Sequence, residues 1–450
     1  MRIRTVTAVA ALLTAGISPL AVTAPASAAA AKYADDFNGD GYRDYANAWG
    51  SGSKGGGVRV TFGTATGPGT KTQVVTQASD GVPGADEADD FFGDTRAAGD
   101  FNSDGYGDLA VGAIGEDIGE NENQGGVTIL WGSASGLKGG TALANKGEKL
   151  AYGNFGDDLA VGDFNGDAKA DLAVVNAHQT LVYRGGFTRS GTTGAVTKLA
   201  QADSTTFDAE HLVAGKVTSD SKTDLVVVGS DWGDDATEAW FIKGGSTSLS
   251  KGATIRIDPS AVGTGDGVIA DFNKDGYGDI AIGAPYYKTF SGAVSVWRGG
   301  ASAPGTMTRI TQATSGVAGT PETDDFFGGS LSAADVNGDG YKDLAIGAPN
   351  ETIDGVESAG GFHLLRGGSG GLTGTGSQWF ARNTAGVPGA IATADQFGTT
   401  VRLRDTDKDG HADLFVTGFL GSYRLPGATS GLTSTGVSEV DYDLVDGFLQ

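Results

Sequence analysis

A nine-residue phrase recurs six times along the chain, always with oxygen-bearing side chains at its first, third, fifth and ninth positions. Its copies supply Asp36, Asn38, Asp40 and Asp44, then Asp100, Asn102, Asp104 and Asp108, then Asp163, Asn165, Asp167 and Asp171. Next come Asp271, Asn273, Asp275 and Asp279, then Asp335, Asn337, Asp339 and Asp343, and last Asp405, Asp407, Asp409 and Asp413. The seventh position, whose backbone carbonyl is a further donor, holds Tyr42, Tyr106, Lys169, Tyr277, Tyr341 and His411. Hard cations want such a cage, and Ca²⁺ takes about six to eight oxygens. Asp and Asn also favour turns for reasons of their own. That explains one loop, not six in register. The motif predicts about six structural Ca²⁺ ions, each offsetting carboxylate repulsion and fixing a hairpin.

An EF-hand would place a bidentate Glu at the twelfth position, between two helices. Here that position holds Asn47, Val111, Val174, Ile282, Ile346 and Val416. Five of these are apolar strand residues, so the EF-hand is excluded.

The surroundings of the phrase repeat as well. Phe-Gly pairs precede it at Phe92-Gly93, Phe155-Gly156, Phe327-Gly328 and Phe397-Gly398. A short apolar run follows, then an alternating strand ending in Gly, then a Thr/Gln/Val-rich segment. Period-two patterning and β-branched enrichment make these strands, about four per unit, with no amphipathic helix. A seventh, degenerate unit lies near 207–250, where Leu225 to Gly229 matches the apolar run. It places Lys216, Thr218, Asp220 and Asp224 at cage positions one, three, five and nine. A Lys at position one is incompatible with Ca²⁺, and its ammonium is expected to replace the cation by pairing with Asp220 and Asp224. First positions at 36, 100, 163, 216, 271, 335 and 405 are 53 to 70 residues apart. Seven four-stranded units of this length predict an all-β fold, a seven-bladed propeller of antiparallel blades with Ca²⁺-binding hairpin loops. A linear solenoid needs distinct capping repeats, and none is visible. Lys32-Tyr33-Ala34 is expected to be the innermost strand of the first blade. The last unit carries its own outer strand near Val437 to Leu444, so the ring is expected to close by blade packing without a shared strand.

Arg2 and Arg4, the apolar stretch Val6 to Val22 and the small residues Ala26-Ser27-Ala28 read as a secretory signal peptide over 1–28. The propeller then occupies 29–450, in an extracellular setting. Removing 1–28 takes away two arginines and no acid, moving the formal charge from −24 to −26. Nucleic-acid binding is built from Lys and Arg, so this charge argues against it, and against an anionic membrane surface. No later segment is apolar enough to insert into a membrane. Cysteine is absent, which excludes a disulfide framework and thiolate zinc sites.

These repeats resemble the FG-GAP family, which builds the β-propeller of integrin α-subunits and of secreted bacterial proteins. Phe327-Gly328, Asp335 to Asp343 and Gly347-Ala348-Pro349 form a near-complete copy. The resemblance covers essentially all of 29–450. It implies that the six cages sit between the first and second strands of their blades and bind Ca²⁺ on one rim. Four departures stand out. Ala168 replaces the turn glycine, the fourth unit has lost its cage, the fifth has Gly263 without a preceding Phe, and the seventh reads Gly418-Phe419-Leu420 in place of Gly-Ala-Pro.

No catalytic motif is found, neither a Gly-x-Ser-x-Gly elbow nor a His pair with metal spacing. The four histidines, His178, His211, His363 and His411, read as structural or surface residues. The copied loops from Gly81, Gly316 and Gly386 to Asp90, Asp325 and Asp395 read as connections between blades. Trp131 and Trp297 alternate within strands and read as packing, whereas Trp232 sits in a polar loop and can stack on a sugar ring. The expectation is a non-enzymatic binding or adhesion module for an extracellular glycan or protein. A polysaccharide hydrolase or lyase and a structural cell-surface protein are the alternatives, since fold does not determine function.

Overall fold

The computed structural model describes residues 30–50, 55–177, 179–200, 207–258, 263 and 265–449. The expected signal segment 1–28 and His178 lie outside the described residues. Among the described residues, twenty-seven strands form seven antiparallel sheets, arranged as the blades of a propeller. Blade two shows the pattern, with Arg96–Gly99 innermost, then Asp108–Ala113, Gly126–Leu130 and Gly140–Ala142. Blades three to seven begin with Leu159–Gly162, Phe207–Gly215, Gly267–Ala270, Leu331–Ala334 and Val401–Arg404. The degenerate unit is a full four-stranded blade, so loss of its cage has not cost it its sheet.

The second strands, such as Asp108–Ala113 and Asp343–Ala348, are buried along their whole length because a neighbouring blade covers each face. The core is accordingly a set of layers between blades rather than one centre. Val58 and Val60 of blade one meet Leu109 and Val111 of blade two, and Leu344 and Ile346 of blade six meet Val294 of blade five. The Phe-Gly pairs serve these layers. Phe92, Phe155, Phe327 and Phe397 are buried, and the glycines after them have φ between 94° and 104°. A Cβ on Gly93 would stand 2.1 Å from the Gly57 carbonyl oxygen and one on Gly398 2.2 Å from that of Gly361. Only glycine satisfies both the left-handed backbone and the close approach.

Ring closure departs from the sequence expectation. Lys32-Tyr33-Ala34 forms bends and a turn, with the Asp36 N–H donating to the Tyr33 carbonyl at 3.2 Å. Blade one thus contributes three strands, Tyr45–Ala48, Val58–Thr64 and Gly67–Val75. The place beside Tyr45–Ala48 is taken by the other end of the chain. After the outer strand Ser438–Val440, a one-turn helix, Tyr442–Asp446, leads a tail back to blade one. There the Ala46 N–H donates to the Gly447 carbonyl at 3.0 Å and the Ala48 N–H to the Asp446 carboxylate at 3.1 Å. Arg59 pairs with Asp443 at 2.6 Å and Arg96 with Asp446 at 2.9 Å. Phe448 packs on Tyr45 and Phe415, with ring centroids 5.0 and 4.5 Å away. The ring is closed by a clasp between its ends, not by blade packing alone. An aromatic beside a cage mimics an inner strand locally, but the true occupant lies about 400 residues away, as the Ala48–Asp446 separation of 398 shows.

One interaction recurs in every blade. The ninth-position aspartate opens the second strand and is buried in all seven copies. One oxygen of Asp108 accepts the Phe101 N–H at 3.0 Å and the other accepts the Gly132 N–H, past the end of the third strand, at 2.8 Å. Asp44, Asp171, Asp279 and Asp343 do the same. In the cage-free blade, Asp224 accepts from Val217 N–H, Thr218 N–H and Oγ1, and Gly244 N–H. The aspartate is therefore a hairpin tie in its own right. Asp224→Ala leaves several buried donors unpaired and should cost about 3 kcal/mol of stability. Denaturant melts in the presence of Ca²⁺ and of excess chelator should show the same loss.

His363, on the strand Gly361–Leu365, is fully buried, and neither ring nitrogen has a hydrogen-bond partner among the described residues. It lies between Trp379 and Phe327, with centroids 4.5 and 5.2 Å away. Burial pulls its pKa from the ordinary 6.5 to about 3. Between those values the unfolded chain binds a proton that the folded chain refuses, so stability falls as pH drops from 6.5 towards 3. The slope is about 1.4 kcal/mol per pH unit from this residue. His363→Leu should flatten it, as urea melts at pH 5 and pH 7 would reveal.

Candidate metal centres and the opposite face

The first of the six cages, Asp36 to Asp44, leads directly into Tyr45–Ala48, and each of the other five occupies the hairpin between the inner and second strands of its blade. The register closes on it: Gly99 pairs with Asp108, Ala334 with Asp343 and Arg404 with Asp413. Within the loop the geometry repeats. The Asp36 carboxylate accepts the N–H groups of Asp40 and Gly41 at 3.1 and 2.8 Å. The Asn38 amide oxygen accepts the Asp40 N–H at 2.9 Å, and the Asp40 carboxylate accepts the Tyr42 N–H at 3.0 Å. The last three of these bonds recur from Asp100 to Tyr106, from Asp271 to Tyr277 and from Asp335 to Tyr341. Lys169 and His411 fill the seventh position in the same way, their N–H groups donating to Asp167 and Asp409. Side chains one, three and five thus converge. In the last cage, oxygens of Asp405, Asp407 and Asp409 lie within 4.8 Å of one another.

The ninth-position carboxylates carry the electrostatic signature of a site built for a cation. Burial, then the neighbouring cage carboxylates, pushes Asp44 and Asp108 up to about 7. Asp171 and Asp343 rise to about 6, against burial that their backbone hydrogen bonds only partly offset. Asp279 and Asp413 are raised as well, by burial first. A hard cation among these oxygens would supply the missing charge, so the donor set fits one.

Three cages differ. Ala168 holds φ +64° where the others have glycine, a conformation that costs a non-glycine residue about 1–2 kcal/mol. In the last, the Arg424 guanidinium reaches Asp407 at 2.5 Å and Asp413 at 2.7 Å, competing for cage oxygens. In the degenerate blade a basic side chain does meet Asp220, but it is not Lys216. Lys222 and Lys243 stand 3.8 and 3.6 Å from Asp220, whereas Lys216 makes no ion pair among the described residues. The expected pairing of Lys216 with Asp220 and Asp224 is not found among the described residues; the basic groups at Asp220 come from the loop and from the third strand, Ala236–Lys243.

Cages also touch across blades. The eighth-position N–H of one donates to the first-position carbonyl of the blade before, as Gly107 to Asp36 at 2.8 Å and Ala412 to Asp335 at 2.9 Å. Gly278 links to Lys216 in the same way at 2.7 Å. Lys408 of the last cage lies over the Tyr42 ring of the first, 4.4 Å from its centroid. Spacing within one repeat carries no signal for these links.

Antiparallel topology puts the loops between second and third strands, and the connections from one blade to the next, at the end opposite the cages. Of ten exposed large hydrophobic side chains among the described residues, nine are there. Trp49, Ile118, Trp232, Phe290, Phe419 and Leu420 lie in second-to-third loops, and Leu150, Tyr152 and Tyr442 in the connections. Trp131 and Trp297 are buried, as their alternation implies. Trp232 is 56% exposed, and its Nε1–H donates to Asp208 at 3.0 Å, which fixes the indole while leaving it open. The copied connections are anchored by buried Val82, Val317 and Val387 and by buried Asp90, Asp325 and Asp395, so they are structural at their roots.

The family model of the FG-GAP repeat matches residues 92–130, 263–297 and 327–365, in blades two, five and six. Integrin alpha-3 of Mus musculus is 34% identical over 156 residues, 33% of this chain and 13% of that protein. Phosphatidylinositol-glycan-specific phospholipase D of Dictyostelium discoideum is 28% identical over 247 residues, 52% of this chain and 24% of that one. Integrin alpha-7 of Mus musculus is 34% identical over 123 residues, 24% of this chain and 10% of that protein. The chain thus spans at most a quarter of the length of these relatives. With its Phe-Gly layers, its cage hairpins in register and its seven blades, the chain is a seven-bladed β-propeller that carries FG-GAP repeats in three of its blades and resembles the propellers of integrin α-subunits.

Proposed function

We propose that this chain is a secreted, Ca²⁺-loaded binding module whose cage face is structural and whose opposite face docks an extracellular glycan or protein. The carrying observation is the segregation of exposed aromatic and aliphatic side chains onto the cage-free face. Isolated apolar side chains on a surface are ordinary, but a concentration on one face marks an interaction site. A fixed, open indole such as Trp232 offers a flat apolar surface beside polar groups, which suits a sugar ring or an amphipathic protein surface. A cavity of about 530 Å³ beside Phe419, Tyr442, Glu439 and Asp441 gives the same face a concave subsite. The cages contribute by holding the hairpins that set the blades, and thereby the loops at the other end.

Two measurements test the two halves of this reading. Ca²⁺ that binds only the folded ring stabilises it by about 1.4 kcal/mol for each site held at tenfold excess over its dissociation constant. Chelation should therefore lower the melting temperature, and an unchanged value would remove the structural role. On the other face, Trp232→Ala combined with Phe419→Ala should reduce retention on a panel of polysaccharides and matrix proteins at least about tenfold. Val74→Ala, on the outer strand of blade one, should leave it unchanged. Release of new chain ends from any polysaccharide would replace the binding module with an enzyme.

A further inference from the structure

Beyond the cages, a second acidic constellation recurs at the connections between blades. Between blades one and two it comprises Gln77, Asp90 and Glu116, and between blades five and six Gln312, Asp325 and Glu351. The two are built alike. The Gln77 Nε2 donates to Glu116 at 2.7 Å and the Gln312 Nε2 to Glu351 at 2.5 Å. Asp90 accepts the Glu87 N–H at 3.1 Å, and Asp325 the Glu322 N–H at 2.6 Å. Gln77 and Gln312 are only 6% and 3% exposed, and in both the amide oxygen is buried without a hydrogen-bond partner. A buried carbonyl-type oxygen left unpaired is costly, and here the same atom is orphaned at two independent places, on an amide whose nitrogen donates to the glutamate of the cluster.

The third connection, between blades six and seven, shows what the first two lack. There Arg382 stands where Gln77 and Gln312 stand, each followed four residues later by glycine. The Thr417 N–H donates to Thr400 as the Gly347 N–H donates to Ser330, which aligns Gly421 with Glu351. One glutamate has been lost and one guanidinium gained. Arg382 pairs with Asp395 at 2.7 Å in a fully buried contact, and its remaining donors reach the Pro388 and Gly421 carbonyls. This junction is electrically neutral, whereas the other two each carry an aspartate and a glutamate. The difference is two units of charge. The groups acting most strongly on Asp90 are Glu116, Glu87 and Asp117, and on Glu351 they are Asp325 and Glu322, all acidic.

We propose that the Gln77–Asp90–Glu116 and Gln312–Asp325–Glu351 clusters are two further sites for a hard divalent cation, each using the amide oxygen as its neutral ligand. The ion supplies at these junctions the charge that Arg382 supplies at the third. Two carboxylates and an amide oxygen leave coordination positions for water, as Ca²⁺ and Mg²⁺ both accept. Burial first, then neighbouring carboxylates (Glu116 at Asp90, Glu322 and Asp324 at Asp325, Asp325 at Glu351), pushes Asp90 and Asp325 up to about 6 and Glu351 to about 7. One shared proton per pair is the competing occupant.

Ion counting separates the two. The chelator-stripped protein is equilibrated with several millimolar Ca²⁺, above the range of weak extracellular sites at about 10⁻⁴–10⁻³ M, and bound metal per chain is measured by equilibrium dialysis. Glu116→Gln with Glu351→Gln keeps the shape of both clusters and should bind two fewer ions than the wild type. Gln312→Arg, which imports the solution found at the third connection, should bind one fewer and should fold as well as the parent without metal. An unchanged count in both variants overturns the proposal and assigns the pairs to a shared proton. Since the cages are untouched in these variants, a wild type that binds no ion at all would overturn the cage reading as well, and would be distinguishable from loss of the junction sites alone.

Discussion

Each blade depends on a buried carboxylate that ties two of its hairpins together. The ninth-position aspartate holds the N–H at the start of its own loop and the N–H past the end of the third strand, so a single side chain fixes two hairpins of one blade. Its survival as Asp224 in the blade that has lost its cage separates the two duties. Hydrogen bonds from backbone donors to a buried carboxylate are strong but leave its charge unbalanced. The rest of the cage is where that balance can be restored, by a cation where the donor set fits one and by basic side chains in other blades. Lys222 and Lys243 at Asp220, Arg424 at Asp407 and Asp413, and Arg382 at Asp395 are versions of the same solution.

Because the core is divided into layers between blades, every blade is stabilised by its neighbours and none is self-sufficient. The cages add a second set of cross-blade links, through carbonyls such as those of Asp36 and Asp335. A change at one loop therefore acts on the next blade through the backbone, without any long-range rearrangement. The cage-free blade takes part in this chain of links, since Lys216 keeps its carbonyl contact to Gly278 even though its ammonium has no role in the cage.

The propeller and its cages were legible because both are periodic. Asp36 to Asp44 and its five relatives announce a loop, and the apolar runs after them announce a strand buried on both sides. What was not legible is whatever depends on contacts between distant repeats. Lys32-Tyr33-Ala34 precedes a cage as the inner strands do, but only the fold shows that 441–449 has taken that place. The seventh unit was found in the correct register, yet the cations at Asp220 come from Lys222 and Lys243, the latter on a strand that no local spacing ties to the cage. Trp232 stood out as an aromatic in a polar loop. Phe419 stood out only as a departure from Gly-Ala-Pro, and its place on one face with the other exposed side chains required the topology.

The clasp between the two ends gives the ring a direction in time. Blades two to seven can stack in the order in which they leave the ribosome, each on the one before, using contacts between adjacent repeats. Blade one cannot, because the strand position beside Tyr45–Ala48 stays empty until 441–449 has been made. The first blade to emerge is thus the last to be finished, and the unpaired edge of Tyr45–Ala48 is an adhesive surface in the interval. The closing step brings together segments about 400 residues apart, the kind of non-local contact that slows folding. Under the secretion proposed above, export before folding would place that step after the whole chain has crossed the membrane.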